Sequence, residues 1–306
     1  MNTFAIAVHG GAGDDSPFLQ KHVKEHEEGL TDAVQMGYKI LKDGGNALDA
    51  VEASVKCLED NPLFNAGRGS ALNCKGEVEM DASIMNGANL KAGAVSMVRN
   101  VKNPILLART IMTKTKHVFL SGYGAVEFAK NEGICFEPDS YFITEHQYDE
   151  FEHAHQHESM RQIHEKKISG TVGAVALDIN GNVAAGTSTG GTTNCLPGRV
   201  GDSCIIGAGC YANNKTCAVS GTGDGEYLIT GVIAHTISMM MERNMTIQEA
   251  CDHVLHTRNK GTKGDIGVIA VSPKGEIGIS FNSQIMKRAW MGSSESLQVK
   301  IVKQSP

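Results

Sequence analysis

Gly170-Thr171-Val172-Gly173-Ala174-Val175-Ala176-Leu177-Asp178 is where this chain changes character. Before it runs a polar stretch, His153-Ala154-His155-Gln156-His157-Glu158-Ser159-Met160-Arg161-Gln162, continuing through His164-Glu165-Lys166-Lys167-Ile168-Ser169. After Thr171 the residues turn apolar and strand-like. One reading makes Gly170 a turn and Thr171 the first residue of a strand. The other makes the junction a self-cleavage point that creates a new N-terminal threonine. Such a residue carries nucleophile and base together: its hydroxyl attacks and its own α-amine takes the proton. With a reference pKa of about 7.7–8.0, that amine is partly free base near neutrality. Gly170 would then permit the strained backbone that an N-to-O acyl shift needs. The pair alone leaves both readings open.

Working outward, the 306 residues suffice for one large domain with a substantial core. Hydrophobic residues at 41% and charged residues at 20% exclude disorder as the main state. A net charge of -6 without a long basic run argues against nucleic acid as a partner. The start, Phe4-Ala5-Ile6-Ala7-Val8, is too short for a signal or membrane span, so no membrane partner and a cytoplasmic location are expected. Cys57, Cys74, Cys135, Cys195, Cys204, Cys210, Cys217 and Cys251 form no Cys-x-x-Cys pair and read as reduced thiols. His153, His155 and His157 alternate without a second ligand group at metal spacing, so they read as part of a solvated linker.

Periodicity and punctuation predict a strand over 4–8, a helix over 19–41 stopped by Gly44-Gly45, and a helix over 47–58. Further strands are expected over 77–85, 92–98 and 117–120, with helices over 104–113 and 124–131. A linker covers about 139–170. Strands over 172–177, 183–187, 204–206 and 217–220 follow, then a helix over 226–242. Another helix starts at the capping box Thr246-Ile247-Gln248-Glu249, and strands over 266–271 and 276–281 come last. Elements thus come in blocks on both sides of the linker, which favours an α/β protein of layered sheets over a doubly wound one.

Gly198-Arg199-Val200-Gly201-Asp202-Ser203 sets a guanidinium and a carboxylate three residues apart between glycines. Either they pair and close a turn, or Arg199 takes a carboxylate and Asp202 an ammonium, clamping an α-amino acid head group. A substrate held that way presents only its side chain to a nucleophile, so the scissile bond would be a side-chain amide. Ser220-Gly221-Thr222-Gly223-Asp224-Gly225-Glu226 passes from strand to helix and offers the Thr222 hydroxyl and Gly223 N–H as oxyanion donors, or simply a helix start. A competing motif, Gly186-Thr187-Ser188-Thr189-Gly190, matches Gly-x-Ser-x-Gly, with His9-Gly10-Gly11 as oxyanion segment and His235, His253 or His256 as base. A nucleophile elbow needs a helix next, and Gly191-Thr192-Thr193-Asn194-Cys195-Leu196-Pro197-Gly198 cannot be one.

Together, these segments resemble the plant-type asparaginase / isoaspartyl peptidase family of N-terminal-nucleophile hydrolases. The resemblance rests on His9-Gly10-Gly11-Ala12-Gly13, Asn61-Pro62-Leu63-Phe64-Asn65-Ala66-Gly67, the Gly170–Ala176 run, Thr187-Ser188-Thr189-Gly190-Gly191, the Arg199–Asp202 loop, Thr222-Gly223-Asp224-Gly225-Glu226, Phe281-Asn282 and Arg288-Ala289-Trp290, all in the family's order. It implies a four-layer αββα sandwich, made as one precursor cut between Gly170 and Thr171 into segments 1–170 and 171–306. It implies Thr171 as nucleophile, Thr189 orienting it, and Thr222 and Gly223 stabilising the oxyanion. Asn65, Arg199, Val200, Gly201, Asp202, Asp224 and Gly225 would join Thr222 and Gly223 in binding substrate. Catalysis would need no cofactor. A structural sodium ion would sit in the loop of Leu58, Glu59, Asn61, Phe64, Ala66 and Arg68, held by backbone carbonyls. The implied activity is release of aspartate from L-asparagine and β-aspartyl dipeptides by a dimer of processed heterodimers. A glycosylasparaginase is the alternative within the family, and an uncleaved binding protein the alternative outside it. The chain departs from the pattern at Cys195, where many relatives have lysine, at Cys204, where proline is usual, and at Arg68, where a smaller or apolar residue is common.

Overall fold

The computed structural model describes residues 3–157, 170–261 and 264–302. Its strands are β1 (Ala5–Gly13), β2 (Met80–Asn86), β3 (Ala92–Val98), β4 (Phe119–Ser121), β5 (Val172–Leu177), β6 (Val183–Thr189), β7 (Cys210–Asn213), β8 (Cys217–Gly223), β9 (Ile266–Val271), β10 (Ile277–Phe281), β11 (Ile285–Gly292) and β12 (Gln298–Val302). Its helices are α1 (Pro17–Lys21), α2 (Val23–Lys42), α3 (Ala47–Asp60), α4 (Pro104–Lys114), α5 (Gly122–Asn131), α6 (Asp139–Phe142), α7 (Glu145–His157), α8 (Gly225–Gly231), α9 (Ile233–Glu242) and α10 (Ile247–Asp252).

An eight-stranded sheet runs β12-β11-β1-β5-β6-β2-β3-β4, and a four-stranded sheet runs β10-β9-β8-β7. Three buried clusters separate four layers. One joins α2, α3 and α4 to the large sheet through Leu30, Val51, Val55, Ile105 and Val172. A second, with Ala7, Val175, Ala185, Ala218 and Ile269, lies between the sheets. A third packs Leu228, Ile237, Ile247 and Val254 against Val219 and Val268 of the small sheet. This is the αββα sandwich expected from the sequence. β5 is apolar throughout because it is central in its sheet and covered on both faces.

Local chemistry sets the boundaries. Asn46 caps α3 by accepting the Asp49 N–H, and the helix buries Ala47, Val51, Ser54, Val55 and Leu58 along one side. The capping box at α10 is present in both directions between Thr246 and Glu249. The expected helix over 19–41 is two, because His22 leaves helical geometry between α1 and α2. That over 226–242 is likewise split by Val232, at φ 47°. Residues 139–157 form α6 and α7 instead of an open linker, held by fully buried Phe142 and by Phe151 against the first cluster. His153, His155 and His157 therefore sit on a helix. The expected linker over 158–169 lies outside the described residues. A tight turn over Asp202–Cys204 replaces the strand expected at 204–206, because the Asp202 carbonyl accepts the N–H groups of Ile205 and Gly209.

Candidate active site

β5 and β6 pair antiparallel in the middle of the large sheet, with Val172 opposite Ser188. Side chains alternate in a strand, so Thr187 and Thr189 share one face and Ser188 takes the other. Thr171, just before β5, is 4% exposed. Its hydroxyl donates to Thr189 Oγ1 at 3.3 Å, and the Thr189 hydroxyl donates to the Gly170 carbonyl at 3.2 Å. Thr189 thus touches both the expected nucleophile and the carbonyl of the expected cleavage site.

β1 supplies the other anchor. His9 is fully buried, and its Nδ1 lies 2.8 Å from the Thr171 carbonyl oxygen, which can only accept, so Nδ1 carries the hydrogen. Nε2 then accepts from the Ser220 hydroxyl at 2.8 Å; Thr187 Oγ1 lies 2.8 Å from Ser220 Oγ and donates to the Gly209 carbonyl at 3.0 Å. Burial pulls the His9 pKa down to about 3, so the imidazole is neutral and Nε2 is the acceptor. The ring fixes the backbone of Thr171 from β1, the neighbouring strand of the same sheet. On β8, Thr222 is buried and its Oγ1 accepts the Ala12 N–H at 3.3 Å, which leaves the hydroxyl hydrogen to donate. Gly223 follows at φ 119°, where a Cβ would lie 2.1 Å from the Asp265 carbonyl oxygen.

Arg199 and Asp202 converge over the backbone of Gly225 at the start of α8. A Cβ there would lie 2.8 Å from Asp202 Oδ1 and 2.9 Å from Arg199 Nη2. The two do not pair with each other among the described residues. Arg199 instead donates through Nε and Nη2 to Glu226 Oε1, at 3.2 and 3.1 Å. Asp202 is 3% exposed, and its Oδ2 has no hydrogen-bond partner among the described residues. Burial raises its pKa to about 7, against the opposing pull of the Arg199 guanidinium. A buried carboxyl oxygen left unfilled beside a guanidinium is an arrangement that calls for an explanation.

Compared with known proteins, the chain matches the asparaginase family over residues 2–301. The chain belongs to the asparaginase family. It is 43% identical over 299 residues to an isoaspartyl peptidase of Salmonella typhimurium, covering 95% of this chain and 96% of that one. To an isoaspartyl peptidase/L-asparaginase of Homo sapiens it is 45% identical over 276 residues, 90% of this chain and 89% of that one. Its αββα layers are those of the N-terminal-nucleophile hydrolase fold.

Several expected roles look different in this asparaginase-family structure. A Cβ at Gly170 would lie 3.4 Å from Asn65 Cβ. A close approach to the junction comes from Gly11, at φ 111°, whose missing Cβ would lie 3.0 Å from Gly170 Cα. Asn65 spends its amide on the Gly191 carbonyl and the Ala71 N–H, so it positions the Gly190-Gly191 turn. Val200 lines a shallow surface cavity with Ser96, Met97, Phe119 and Ser121. Gly201 N–H donates to Asp81 Oδ2, and Asp224 Oδ2 accepts the Asp265 N–H. Ser188 is fully buried, donates to Glu59 Oε1 at 2.6 Å and precedes no helix, which removes the nucleophile-elbow reading. His235 packs edge-on against Tyr211, and His256 meets Ser280.

The loop expected to hold sodium doubles back on α3. Arg68 N–H donates to the Glu59 carbonyl at 2.7 Å, and Gly67 and Gly69, both at positive φ, press against the Glu59, Pro62 and Phe64 carbonyls. Neutral carbonyl oxygens crowded by glycines suit a hard monovalent cation. Among the described residues, no three His, Cys, Asp or Glu side chains are grouped to hold a metal. Arg68 itself is exposed and lies over the Tyr141 ring at 5.5 Å, which accounts for a long cation at that position. Cys204 is buried, with its Sγ donating to the Gly201 carbonyl, and burial pushes the thiol up.

Residues without an expected role also enter the site. Asp81 accepts the Gly201 and Met97 N–H groups, and burial raises its pKa to about 6. A carboxylate inside the apolar run Met80-Asp81-Ala82-Ser83-Ile84 was the available signal. His9, Ser220 and Glu226 were visible only as motif neighbours. Lys287, half-buried on β11, gave no signal; desolvation lowers its ammonium to about 8.

Proposed function

We propose that this chain is an autoprocessed threonine amidohydrolase that releases L-aspartate from L-asparagine and β-aspartyl dipeptides. The observation that carries the reading is the buried Asp202 oxygen without a partner beside Arg199, at a separation fixed by Gly225. It supports a clamp on an α-ammonium and an α-carboxylate, which leaves a side-chain amide as the reacting group. The names of the relatives agree with both substrates.

In the precursor, Thr171 Oγ1 attacks the Gly170 carbonyl carbon while Thr189 donates to that carbonyl oxygen. The Gly170-Thr171 C–N bond breaks as the ester forms, the hydroxyl proton passing to the departing Thr171 nitrogen and freeing its amine; water then hydrolyses the ester and restores the Thr171 hydroxyl. In turnover that amine takes the hydroxyl proton, Oγ1 attacks the side-chain carbonyl, and the Thr222 hydroxyl and Gly223 N–H receive the oxyanion. The amine returns its proton to the departing nitrogen, and water then releases aspartate from the acyl-enzyme. The carbonyls of Leu58, Glu59, Asn61, Phe64, Ala66 and Arg68 would hold a sodium ion whose part is to fix the loop carrying Asn65. A dimer of processed heterodimers is part of the same proposal. No helix among the described residues is long and apolar enough to cross a membrane, and all eight cysteines are free, which supports a cytoplasmic location.

Incubated wild-type protein is expected to give two chains by mass, 1–170 and 171–306, and to release aspartate from both substrates. A single intact chain that turns over neither would refute the proposal. The pH profile is a second test. Asp202 must be ionised to meet the ammonium, and its pKa of about 7 means it is protonated below that and charged above. The Thr171 amine must be free base, with a reference pKa of about 7.7–8.0. The acid limb of log kcat/KM is therefore expected to approach a slope of two, since it reports the free enzyme. Bound ammonium keeps Asp202 ionised, so kcat should fall with a slope of one.

A further inference from the structure

We infer that Lys287 is a specificity-determining residue that holds the α-carboxylate of the departing amino acid when the substrate is a β-aspartyl dipeptide. The inference rests on the function proposed above and extends it to the side of the nucleophile opposite the head-group clamp.

Its basis is the small space at Gly11. The Cβ that Gly11 lacks would lie 3.4 Å from Lys287 Cε, 3.5 Å from Thr171 N and 3.0 Å from Gly170 Cα. The end of the lysine and the amine of the nucleophile therefore flank one gap, kept open by a glycine at φ 111°. In the uncleaved chain Gly170 fills it, and cleavage would free it.

The reaction places a specific group there. The departing nitrogen takes its proton from the Thr171 amine, so the two must come within hydrogen-bond reach, about 3 Å. In a β-aspartyl dipeptide that nitrogen bears a carbon carrying an α-carboxylate, two bonds from the site of proton transfer. In L-asparagine the same nitrogen leaves as ammonia and carries nothing. The carboxylate thus enters the space that Lys287 borders. Arg199 and Asp202 are committed to the other end of the substrate.

The surroundings fit an anion. Among the described residues no carboxylate pairs with Lys287, whose Nζ lies 5.8 Å from the centre of the Phe64 ring. His26 and His146 each feel Lys287 as a like charge when protonated, and His22, Glu25 and Asp149 lie around them in turn. Both are ring-packed, His26 edge-on to Phe64 and His146 stacked on Phe18 at 3.5 Å. The wall is therefore largely basic and aromatic, with Glu25 and Asp149 beside the histidines and, among the described residues, no carboxylate bonded to the ammonium.

The test compares wild type, Lys287→Met and Lys287→Arg on three substrates: L-asparagine, a β-aspartyl dipeptide, and the same dipeptide with its C-terminal carboxyl amidated. Lys287→Met is expected to raise KM for the free-acid dipeptide at least about tenfold, leaving L-asparagine and the amidated dipeptide within about twofold. Lys287→Arg should recover part of the loss. Parallel losses on all three substrates, or no loss on any, would overturn the inference. Should Lys287→Met not mature, wild type alone decides: it must prefer the free acid to the amide by about tenfold, and equal turnover of the two overturns the inference. If wild type hydrolyses none of the three, the proposed function fails and this inference with it. If it hydrolyses all without preference, only the role of Lys287 fails.

Discussion

Thr171→Ala is expected to remain a single chain of 32.6 kDa on prolonged incubation and to show no aspartate release above about one part in 10⁴ of wild type. The size of the loss follows from one side chain serving two reactions. Its hydroxyl donates to Thr189, and Thr189 in turn donates to the Gly170 carbonyl. Removing the hydroxyl leaves that carbonyl with a donor and no attacker. The α-amine is then never released, so the general base is lost together with the nucleophile. Alanine fits without strain at the start of β5, so the protein should stay folded, with a melting temperature near that of uncleaved wild type. Mass spectrometry and an aspartate assay on the same sample check both halves. Cleavage or turnover by this variant would mean that another residue is the nucleophile.

Substitutions in the clamp should act through binding. Asp202→Ala is expected to lower kcat/KM for L-asparagine by about 10²–10³, because removing one member of a buried charge pair costs about 2–5 kcal/mol. Self-cleavage should continue, since neither Arg199 nor Asp202 touches Gly170 or Thr171 in the precursor hydrogen-bond network. Gly225→Ala tests the same geometry without changing a charge. Its methyl group would enter the 2.8 and 2.9 Å gaps to Asp202 Oδ1 and Arg199 Nη2 and close the site. Steady-state kinetics on fully processed protein separates these effects from maturation. A processed Asp202→Ala enzyme with unchanged kcat/KM would remove the clamp from the mechanism.

How much of this was legible beforehand depends on the range of the interactions involved. The central strand after Thr171, the capping box at Thr246 and the stop at Gly44-Gly45 were readable because each is set by neighbours within a few residues. The break at Val232 and the fold of 139–157 were not. Val232 takes a left-handed backbone that its own side chain disfavours, with the chain on either side packed against the small sheet. Helix α6 exists because Phe142 finds a pocket in a core built from distant segments.

The same division runs through the site. By itself the sequence determined that a threonine opens a buried strand, that an Arg-Asp pair lies between glycines, and that a Thr-Gly turn precedes a helix. These are properties of residue type and spacing. Only the tertiary structure decided what the groups do with one another. Arg199 turns to Glu226 and leaves Asp202 unsatisfied, which the three-residue spacing allowed but did not require. His9, 162 positions from Thr171, grips its carbonyl because β1 and β5 pair, and Lys287 reaches the same junction because β11 pairs on the other side of β1. Charge state belongs to this second class as well. Asp202 titrating near 7 and His9 near 3 are consequences of desolvation, and desolvation depends on which layers close over a residue rather than on the residue itself.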